Sequence, residues 1–252
     1  MIRLYSELEI KNIASAGKIL AKILEILKKK AEIGTKLKDL DNLAYQLAKK
    51  HKAQPAFLGY QPDGAHQPYG ASICASVNDV IVHGLPSDYK LQNGDILKID
   101  FGIEYNNFFA DAAITIGIGE ISKQVKHLIE ITELALKKAI KIIKLGKTLG
   151  DIGWVIEKTA KENGLKVIKD LTGHGIGKEL HEDPIIYNYG KRGEGIELKS
   201  GMVLAIEPMF SIGSEKIIQK PDESWATEDG SLSAHFEHTV AITKECVEIL
   251  TK

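Results

Sequence analysis

Several features that mark special classes of protein are scarce or absent in this 252-residue sequence. Only two cysteines occur, and Cys74 and Cys246 are too far apart to indicate a disulfide framework or a zinc finger, which favours a reducing compartment. No run of about 20 apolar residues is present, so no segment is predicted to span a membrane. The first residues also lack the apolar core of a secretory signal. We therefore expect a cytoplasmic protein without a membrane partner.

An excess of one charge sign is also lacking. The 33 Lys and Arg residues nearly balance the 34 Asp and Glu residues, giving a formal net charge of −1. Such a balance does not favour binding to nucleic acid, and the run Lys28–Lys30 is interpreted as the solvated face of a helix. The remaining composition, 44% hydrophobic and 27% charged, is typical of a globular protein with an ample core.

The order of the predicted elements indicates an internal duplication. Ser6 and Glu9 have the spacing of a capping box, which opens a first helix with apolar residues at helical spacing. The other predicted elements are helices over Leu37–Lys50, Lys123–Lys144 and Leu149–Asn163, and strands over Ala71–Ile118 and from Val167 onward. Residues 34–40 resemble residues 146–152, and the same offset aligns residues 48–49 with residues 160–161, although helix starts can also match by chance.

We therefore predict an α+β fold built from two related halves, and the length allows one large domain or two small ones. Its halves, about 1–118 and 119–252, would pack around a pseudo-twofold axis. Ligands from both halves would then meet in one cleft.

Four acids and one histidine interrupt or border apolar or glycine-rich segments. They are Asp100, Asp111, His174, Glu207 and Glu237. Burying a lone carboxylate costs several kcal/mol or forces it to be protonated, so a group of this kind favours a shared cation. Oxygen ligands with one imidazole suit a divalent metal of intermediate hardness, and enough carboxylates are present to hold two ions.

A predicted hairpin would bring the two aspartates together. Tyr105-Asn106-Asn107-Phe108 is a good turn sequence because Asn tolerates positive φ. Asp111 would then lie opposite Gly102, with Asp100 as its diagonal neighbour roughly 7–8 Å away on the same face. The alternative is two surface aspartates, against which the apolar flanks of Asp100 argue.

The remaining candidates lie at turns and strand ends. His174 lies among three glycines, where a phosphate-binding loop is disfavoured because no Lys-Ser/Thr ending follows. His181 stands before a proline-fixed turn and is a candidate acid or hydrogen-bond donor. Glu207 is predicted to end an apolar strand at Pro208. Glu237 is predicted to lie in a strand, facing away from its two neighbours.

Together these motifs resemble those of the type I methionine aminopeptidases, nearly from end to end. The resemblance rests on Asn78–Pro86, on Asp100 with Asp111, on Gly173–Gly177 with His181–Pro184, on Ile206–Met209 and on Ser231–Thr239. The fold of that family is a duplicated α+β unit called the pita-bread fold, which agrees with the predicted duplication. The resemblance thus implies a single catalytic domain, residues 1–252, with an antiparallel sheet covered by helices.

The resemblance implies a role for each candidate. The four acids and His174 would bind two divalent metal ions, with Asp111 and Glu237 bridging them; Fe, Mn, Co and Zn remain open as the native metal. Glu207 would also move the proton of the attacking water, and His83 and His181 would contact the substrate at the scissile amide. The substrates would be the N-termini of nascent polypeptides with a small second residue. A monomer is expected, and contact with the ribosome is left open.

The methionine pocket implied by the resemblance departs from the family pattern in two places. Its residues would be Phe57, Tyr60, Tyr69, Cys74 and Trp225. The segment Gln61–Pro68 is longer than is usual in the family, and we expect it to form a lid at the mouth of the pocket. Leu180 stands where bacterial relatives often carry an aromatic residue.

Two other functions remain open for this sequence. Proline-specific aminopeptidases and prolidases share the fold and the five ligands, although Met209 and the motif Ser231–Thr239 favour methionine removal. A non-catalytic peptide-binding module could use the same fold, because fold alone does not decide function. Such a module would be expected to lose ligands, and none is missing here.

Overall fold

The computed structural model describes residues 2–61 and 66–252. The helices are α1 (Glu7–Lys30), α2 (Leu37–Lys50), α3 (Lys123–Ile142) and α4 (Leu149–Glu162). The strands are β1 (Gln54–Pro55), β2 (Cys74–Val77), β3 (Val80–Val82), β4 (Ile96–Tyr105), β5 (Phe108–Gly117), β6 (Lys166–Val167), β7 (Thr172–Gly175), β8 (Glu182–Tyr187), β9 (Val203–Ile206), β10 (Met209–Ser211), β11 (Ile217–Gln219), β12 (Trp225–Thr227), β13 (Ser233–His235), β14 (His238–Ile242) and β15 (Val247–Ile249). Across these described ranges, no helix is long and apolar enough to cross a bilayer.

The helix starts follow the sequence signals. The Glu9 carboxylate accepts from the Ser6 backbone N–H at 2.9 Å, and the Ser6 hydroxyl accepts from the Glu9 N–H, which completes the predicted capping box of α1. Thr148 and Asp151 form the same reciprocal cap on α4. The predicted bounds of α2 are confirmed, whereas α3 and α4 end two residues and one residue earlier than predicted.

The turns before α2 and α4 share one conformation. Gly34 and Gly146, which the sequence repeat aligns, have φ values of +87° and +81°, where glycine is favoured. Each turn is followed by an isolated β-bridge at the helix N-cap, Lys36 with Lys90 and Thr148 with Glu197. The two halves of the chain therefore repeat a local structure as well as a sequence.

Two antiparallel sheets form the centre of the molecule. In the first, β4 lies between β1 and β2 and also pairs with β5; in the second, the order is β15-β14-β9-β7-β8. The helices α1 and α2 and the hairpin β4–β5 share one apolar core, and α3 and α4 share another with β9 and β14. The molecule is an α+β fold of antiparallel sheets covered by helices.

The two sheets meet where β5 runs beside residues 235–239. The Thr239 hydroxyl donates to the Asp111 carbonyl at 2.7 Å and accepts from the Asp111 N–H at 3.0 Å. Thr115 makes the same two bonds with the backbone of His235, at 2.5 and 3.0 Å. Between them, the Glu237 N–H donates to the Ala113 carbonyl at 2.9 Å. These bonds hold Asp111 and Glu237 at the junction of the two halves.

Candidate active site

All the side chains that the sequence analysis assigned to the site line one cleft of about 1110 Å³. They come from both halves of the chain: Phe57, Tyr60, Tyr69, Cys74, His83, Asp100, Asp111, His174, His181, Glu207, Trp225 and Glu237. The predicted convergence on one cleft is therefore observed for the whole set.

The two aspartates are placed by the hairpin β4–β5. Asn106 and Asn107 occupy its turn at φ +53° and +61°, and Asp111 lies opposite Gly102, as predicted. Asp100 lies two residues from Gly102 on the same face, and its carboxylate is close enough for repulsion from Asp111 to help raise its pKa. A Cβ at Gly102 would overlap the Phe57 ring and crowd Leu180, so the glycine makes room for these two side chains beside the aspartates.

The two glutamates lie at the same level of two neighbouring antiparallel segments, where both segments leave the strand conformation. Ile206 pairs with His238 and Met209 with His235, so Glu207 lies level with Glu237 where neither segment is in a strand. This differs from the expected continuous strand through Glu237, which ends at His235 and resumes at His238. The reason is tertiary, since the Glu237 N–H bonds to Ala113 across the junction. Both glutamates are nearly enclosed, with exposed fractions of 9% for Glu207 and 2% for Glu237.

His174 presents one ring nitrogen to these acids. Its Nδ1 lies 2.9 Å from the Gly175 carbonyl, which can only accept, so Nδ1 carries the proton and Nε2 keeps its lone pair. Nε2 lies 3.7 Å from Glu207 Oε1. Burial lowers the pKa of His174 to about 4, so the ring is neutral and able to bind a metal at neutral pH.

The acid cluster fits a divalent cation. Asp111, His174 and Glu237 each offer a ligand atom, and these atoms all lie within 4.8 Å of one another. Asp100 Oδ1 and Glu237 Oε1 are buried without a hydrogen-bond partner among the residues described. Burial, followed by repulsion from Asp111, raises the pKa of Asp100, Glu207 and Glu237, and burial raises that of Asp111 to about 7. A bound cation would offset both the burial cost and the mutual repulsion.

Two further histidines face the cleft. His181 Nδ1 lies 2.7 Å from the Tyr60 hydroxyl, and its ring stands edge-on to that of His174 with centroids 4.5 Å apart. Desolvation within the cleft, followed by repulsion from His174 and His83, lowers the pKa of His181, and burial lowers that of His83, so both rings are neutral at neutral pH. His83 adopts φ +60°, an uncommon conformation for a residue with a Cβ, directly after β3.

An apolar pocket lies beside the acids. Cys74 pairs with Asp100 across β2 and β4, so the buried thiol lies next to the acid cluster. The ring of Phe57 meets that of Tyr69 edge-on with centroids 6.4 Å apart, and the Tyr69 hydroxyl lies within hydrogen-bond distance of the carbonyl oxygens of Ile73 and Gly84. Trp225 pairs with Val82, the residue that directly precedes His83. The pocket therefore has one polar wall and one apolar wall.

The profile of metallopeptidase family M24 matches residues 11–244. This chain belongs to metallopeptidase family M24. A methionine aminopeptidase from Clostridium perfringens is 44% identical over 255 residues, which cover 100% of this chain and 99% of that protein. A crystal structure of a methionine aminopeptidase from Thermotoga maritima is 44% identical with a TM-score of 0.95, and each chain covers 100% of the other. Members of M24 are metallopeptidases, so divalent metal belongs to the chemistry of this fold.

The M24 fold also includes prolidases. A prolidase structure from Pyrococcus horikoshii is 27% identical with a TM-score of 0.73, and the match covers 99% of this chain but 63% of that one. The fold is thus the predicted pita-bread fold, duplicated about a pseudo-twofold axis.

The sequence analysis missed His235 as a site residue. Its ring is 1% exposed, and Nε2 lies 3.2 Å from Glu207 Oε2. The geometry of this contact is not that of a hydrogen bond. Within the described part of the chain, both ring nitrogens of His235 are therefore buried without a hydrogen-bond partner. Burial lowers the pKa of His235 to about 3. Its closeness to Glu207 follows from the pairing of β10 with β13, which the sequence pattern does not reveal.

Part of the expected lid, residues 62–65 of Gln61–Pro68, lies outside the described residues. Beside that gap, Gln67 and Pro68 line the cleft, and the His66 N–H donates to the Glu223 carboxylate at 3.1 Å. The lid itself stays a prediction.

Proposed function

We propose that this M24 metallopeptidase is a methionyl aminopeptidase, which removes the first methionine of a polypeptide when the second residue is small. The observation that carries the proposal is the enclosed set of four carboxylates and one neutral imidazole beside an apolar pocket. The full-length relatives from Clostridium perfringens and Thermotoga maritima carry this activity in their names.

Five side chains of the proposed centre would hold two divalent ions, either Fe, Mn, Co or Zn. They are Asp100, Asp111, His174, Glu207 and Glu237. When bound, such ions supply the Lewis acidity that activates water and polarises a carbonyl.

The side chains around the centre bind the substrate and move its protons. Glu207 accepts the proton of the attacking water and passes it to the leaving amine. If the Tyr60 hydroxyl donates to His181 Nδ1, then Nε2 carries the N–H that donates to the substrate carbonyl oxygen. His83, on the pocket side, contacts the scissile amide.

The pocket selects the first side chain of the substrate. Its inferred walls are Phe57, Tyr60, Tyr69, Cys74 and Trp225, which all line the cleft. Unbranched, polarisable methionine suits aromatic and thiol surfaces, because its sulfur makes favourable contacts with rings. The free α-amine of the substrate would bind one of the metal ions held by the acids nearby, which supports cleavage at the first residue only.

The competing functions are separated by one assay. Metal-loaded protein is incubated with Met-Ala-Ser and with peptides that begin Ala-Pro, and products are quantified by mass spectrometry. Release of methionine from the first peptide alone is expected. Cleavage of only the Ala-Pro peptides would favour the prolidase alternative, and cleavage of neither would favour a binding module.

We further propose that the enzyme is a cytoplasmic monomer acting on nascent chains. Both cysteines are free, Cys74 buried and Cys246 exposed, which supports a reducing compartment. Size-exclusion chromatography with light scattering tests the monomer, and cosedimentation with ribosomes tests the open question of contact with them.

A further inference from the structure

One face of the chain segment 181–189 leads from the candidate centre to the surface. Its even positions are buried from Pro184 onward, with Ile186 and Asn188 each 1% exposed. Its odd positions are exposed and become apolar along the strand: Ile185 is 55%, Tyr187 47% and Tyr189 36% exposed. This alternation is that of a strand with one free face.

The same face is continuous with the cleft. His181, Asp183 and Ile185 line the cleft, and Tyr187 and Tyr189 continue their row beyond it. At a rise of about 3.3 Å per residue, Ile185 lies roughly 13 Å and Tyr187, the last residue of β8, roughly 20 Å along the strand from His181. An extended polypeptide whose first residue occupies the centre would reach these two positions with roughly its fifth and seventh residues.

Contacts with the rest of the molecule fix the position of this row of exposed residues. The Asn188 amide donates to the Glu207 carbonyl at 3.0 Å, which ties the strand to the candidate centre. Helix α4 covers the outer edge, since a Cβ on Gly153 would overlap the carbonyl oxygens of Tyr187 and Tyr189. That cover disfavours addition of a further strand along this part of the edge, so a ligand would meet the side chains.

The exposed tyrosine rings contact each other, and a lysine lies near one of them. Those of Tyr187 and Tyr189 lie 5.3 Å apart, and the Lys169 ammonium lies 6.0 Å from the Tyr189 ring centroid. Tyrosine gives a large contact area at a small entropic cost, and apolar rows of this kind mark binding sites for peptides.

We propose that Ile185 and Tyr187 of β8 and the neighbouring Tyr189, together named the β8 ridge, bind the part of the substrate polypeptide that follows its first four residues. The ligand is an extended chain with apolar or aromatic side chains from roughly its fifth position onward. This inference rests on the proposed function and adds a second region of substrate recognition to it.

The test compares a short and a long substrate. The kcat/KM of metal-loaded protein is measured for Met-Ala-Ser and for a nonapeptide that begins Met-Ala-Ser and carries leucine or phenylalanine at positions 5 and 7. In the double variant Tyr187→Ser/Tyr189→Ser, the ratio of kcat/KM for the nonapeptide to kcat/KM for Met-Ala-Ser should fall by about tenfold, chiefly because KM for the nonapeptide rises. The matched control is Tyr45→Ser, since Tyr45 is 38% exposed on α2 and also has a lysine over its ring.

Binding is measured separately by fluorescence anisotropy, with the nonapeptide labelled at its C-terminus and the slow variant Glu207→Gln as background. The proposal is overturned if the double variant keeps both the ratio of kcat/KM between nonapeptide and tripeptide and the affinity for the nonapeptide. If unaltered protein cleaves neither peptide, the proposed function fails, and the anisotropy comparison alone decides the ridge. If the double variant does not fold, as judged by circular dichroism, Tyr187→Ser is used with the same criteria.

Discussion

Glu207 is the side chain on which the proposed chemistry depends most, because it would both hold metal and carry a proton. Glu207→Gln keeps the size and removes the charge, so kcat should fall at least about 100-fold. The metal-free protein should keep its melting temperature, because burial already favours the uncharged form of this residue. Steady-state kinetics and differential scanning fluorimetry measure both quantities, with exposed Glu215→Gln as the control. Near-normal kcat with full metal content would contradict the assigned role.

We expect His235 to position Glu207 when the proposed centre holds metal. Its Nε2 lies 3.2 Å from the Glu207 carboxylate, and groups that orient a metal ligand typically change affinity about 10–100-fold when removed. His235→Leu should therefore weaken Mn²⁺ binding about tenfold by isothermal titration calorimetry. His235→Gln retains a donor in a similar place and should restore most of the affinity. Equal weakening by both variants would indicate a packing role only.

The candidate site was predictable where the signal was local. Asp100 and Asp111 follow from a two-residue turn and strand alternation, so the register of one hairpin places both. His174 is marked by its glycines. The contact of His235 with Glu207 depends on pairing between distant strands, for which a single sequence carries no pattern. The pocket residues were inferred from resemblance, and their role in binding stays a prediction.

At the scale of elements, α4 packs on the strand β8 through a glycine. A Cβ on Gly153 would overlap the backbone of residues 187 and 189, which cannot rotate away. Gly153→Ala should destabilise the protein by about 1–3 kcal/mol, since overpacking outweighs the gain of about 1 kcal/mol in helix propensity. Urea unfolding measures the change. Gly70→Ala is the control, because nothing lies within 4 Å of its Cβ position, and comparable loss in both variants would contradict the explanation.

The sequence predicted elements better than their interruptions. Helix bounds depend on caps and spacing within a few residues, and they agree closely with the structure. Pro208 marks the break after β9, although the strand ends at Ile206, one residue before the predicted end at Glu207, and pairing resumes at Met209. The break at Phe236-Glu237 carries no such residue, because it results from a bond between Glu237 and Ala113 across the junction. Order and register of strands across the two halves are likewise set by tertiary contacts.

The stability of the whole molecule should depend on metal and pH together. Burial raises the pKa of Asp111 to about 7, above its unfolded value, and Asp100, Glu207 and Glu237 shift in the same direction. The stability gained by protonating Asp111 in the metal-free fold is complete below about pH 4 and is lost as pH rises through about 7. Metal binds the deprotonated form, so its stabilising effect should increase with pH.

This dependence is measured by scanning fluorimetry from pH 5 to 8, with EDTA or with excess Mn²⁺. The melting temperature with EDTA should fall relative to that with Mn²⁺ as pH rises. Chelation should also abolish peptide cleavage, and Mn²⁺ should restore it. A difference between the two melting temperatures that stays constant over this range, or full activity in EDTA, would contradict a metal centre at these acids. Asp111→Asn should make this difference depend less steeply on pH.

The junction between β5 and residues 235–239 has a consequence for the order of biosynthesis. The ribosome makes Asp111 well before Glu237, and the junction bonds form only when the later segment has emerged. Until then, the proposed centre lacks its last ligand, and the hydroxyl of Thr239 is not available to hold Asp111. The protein therefore remains latent through most of its own translation, and hydrolytic competence arises late, when the chain is nearly complete.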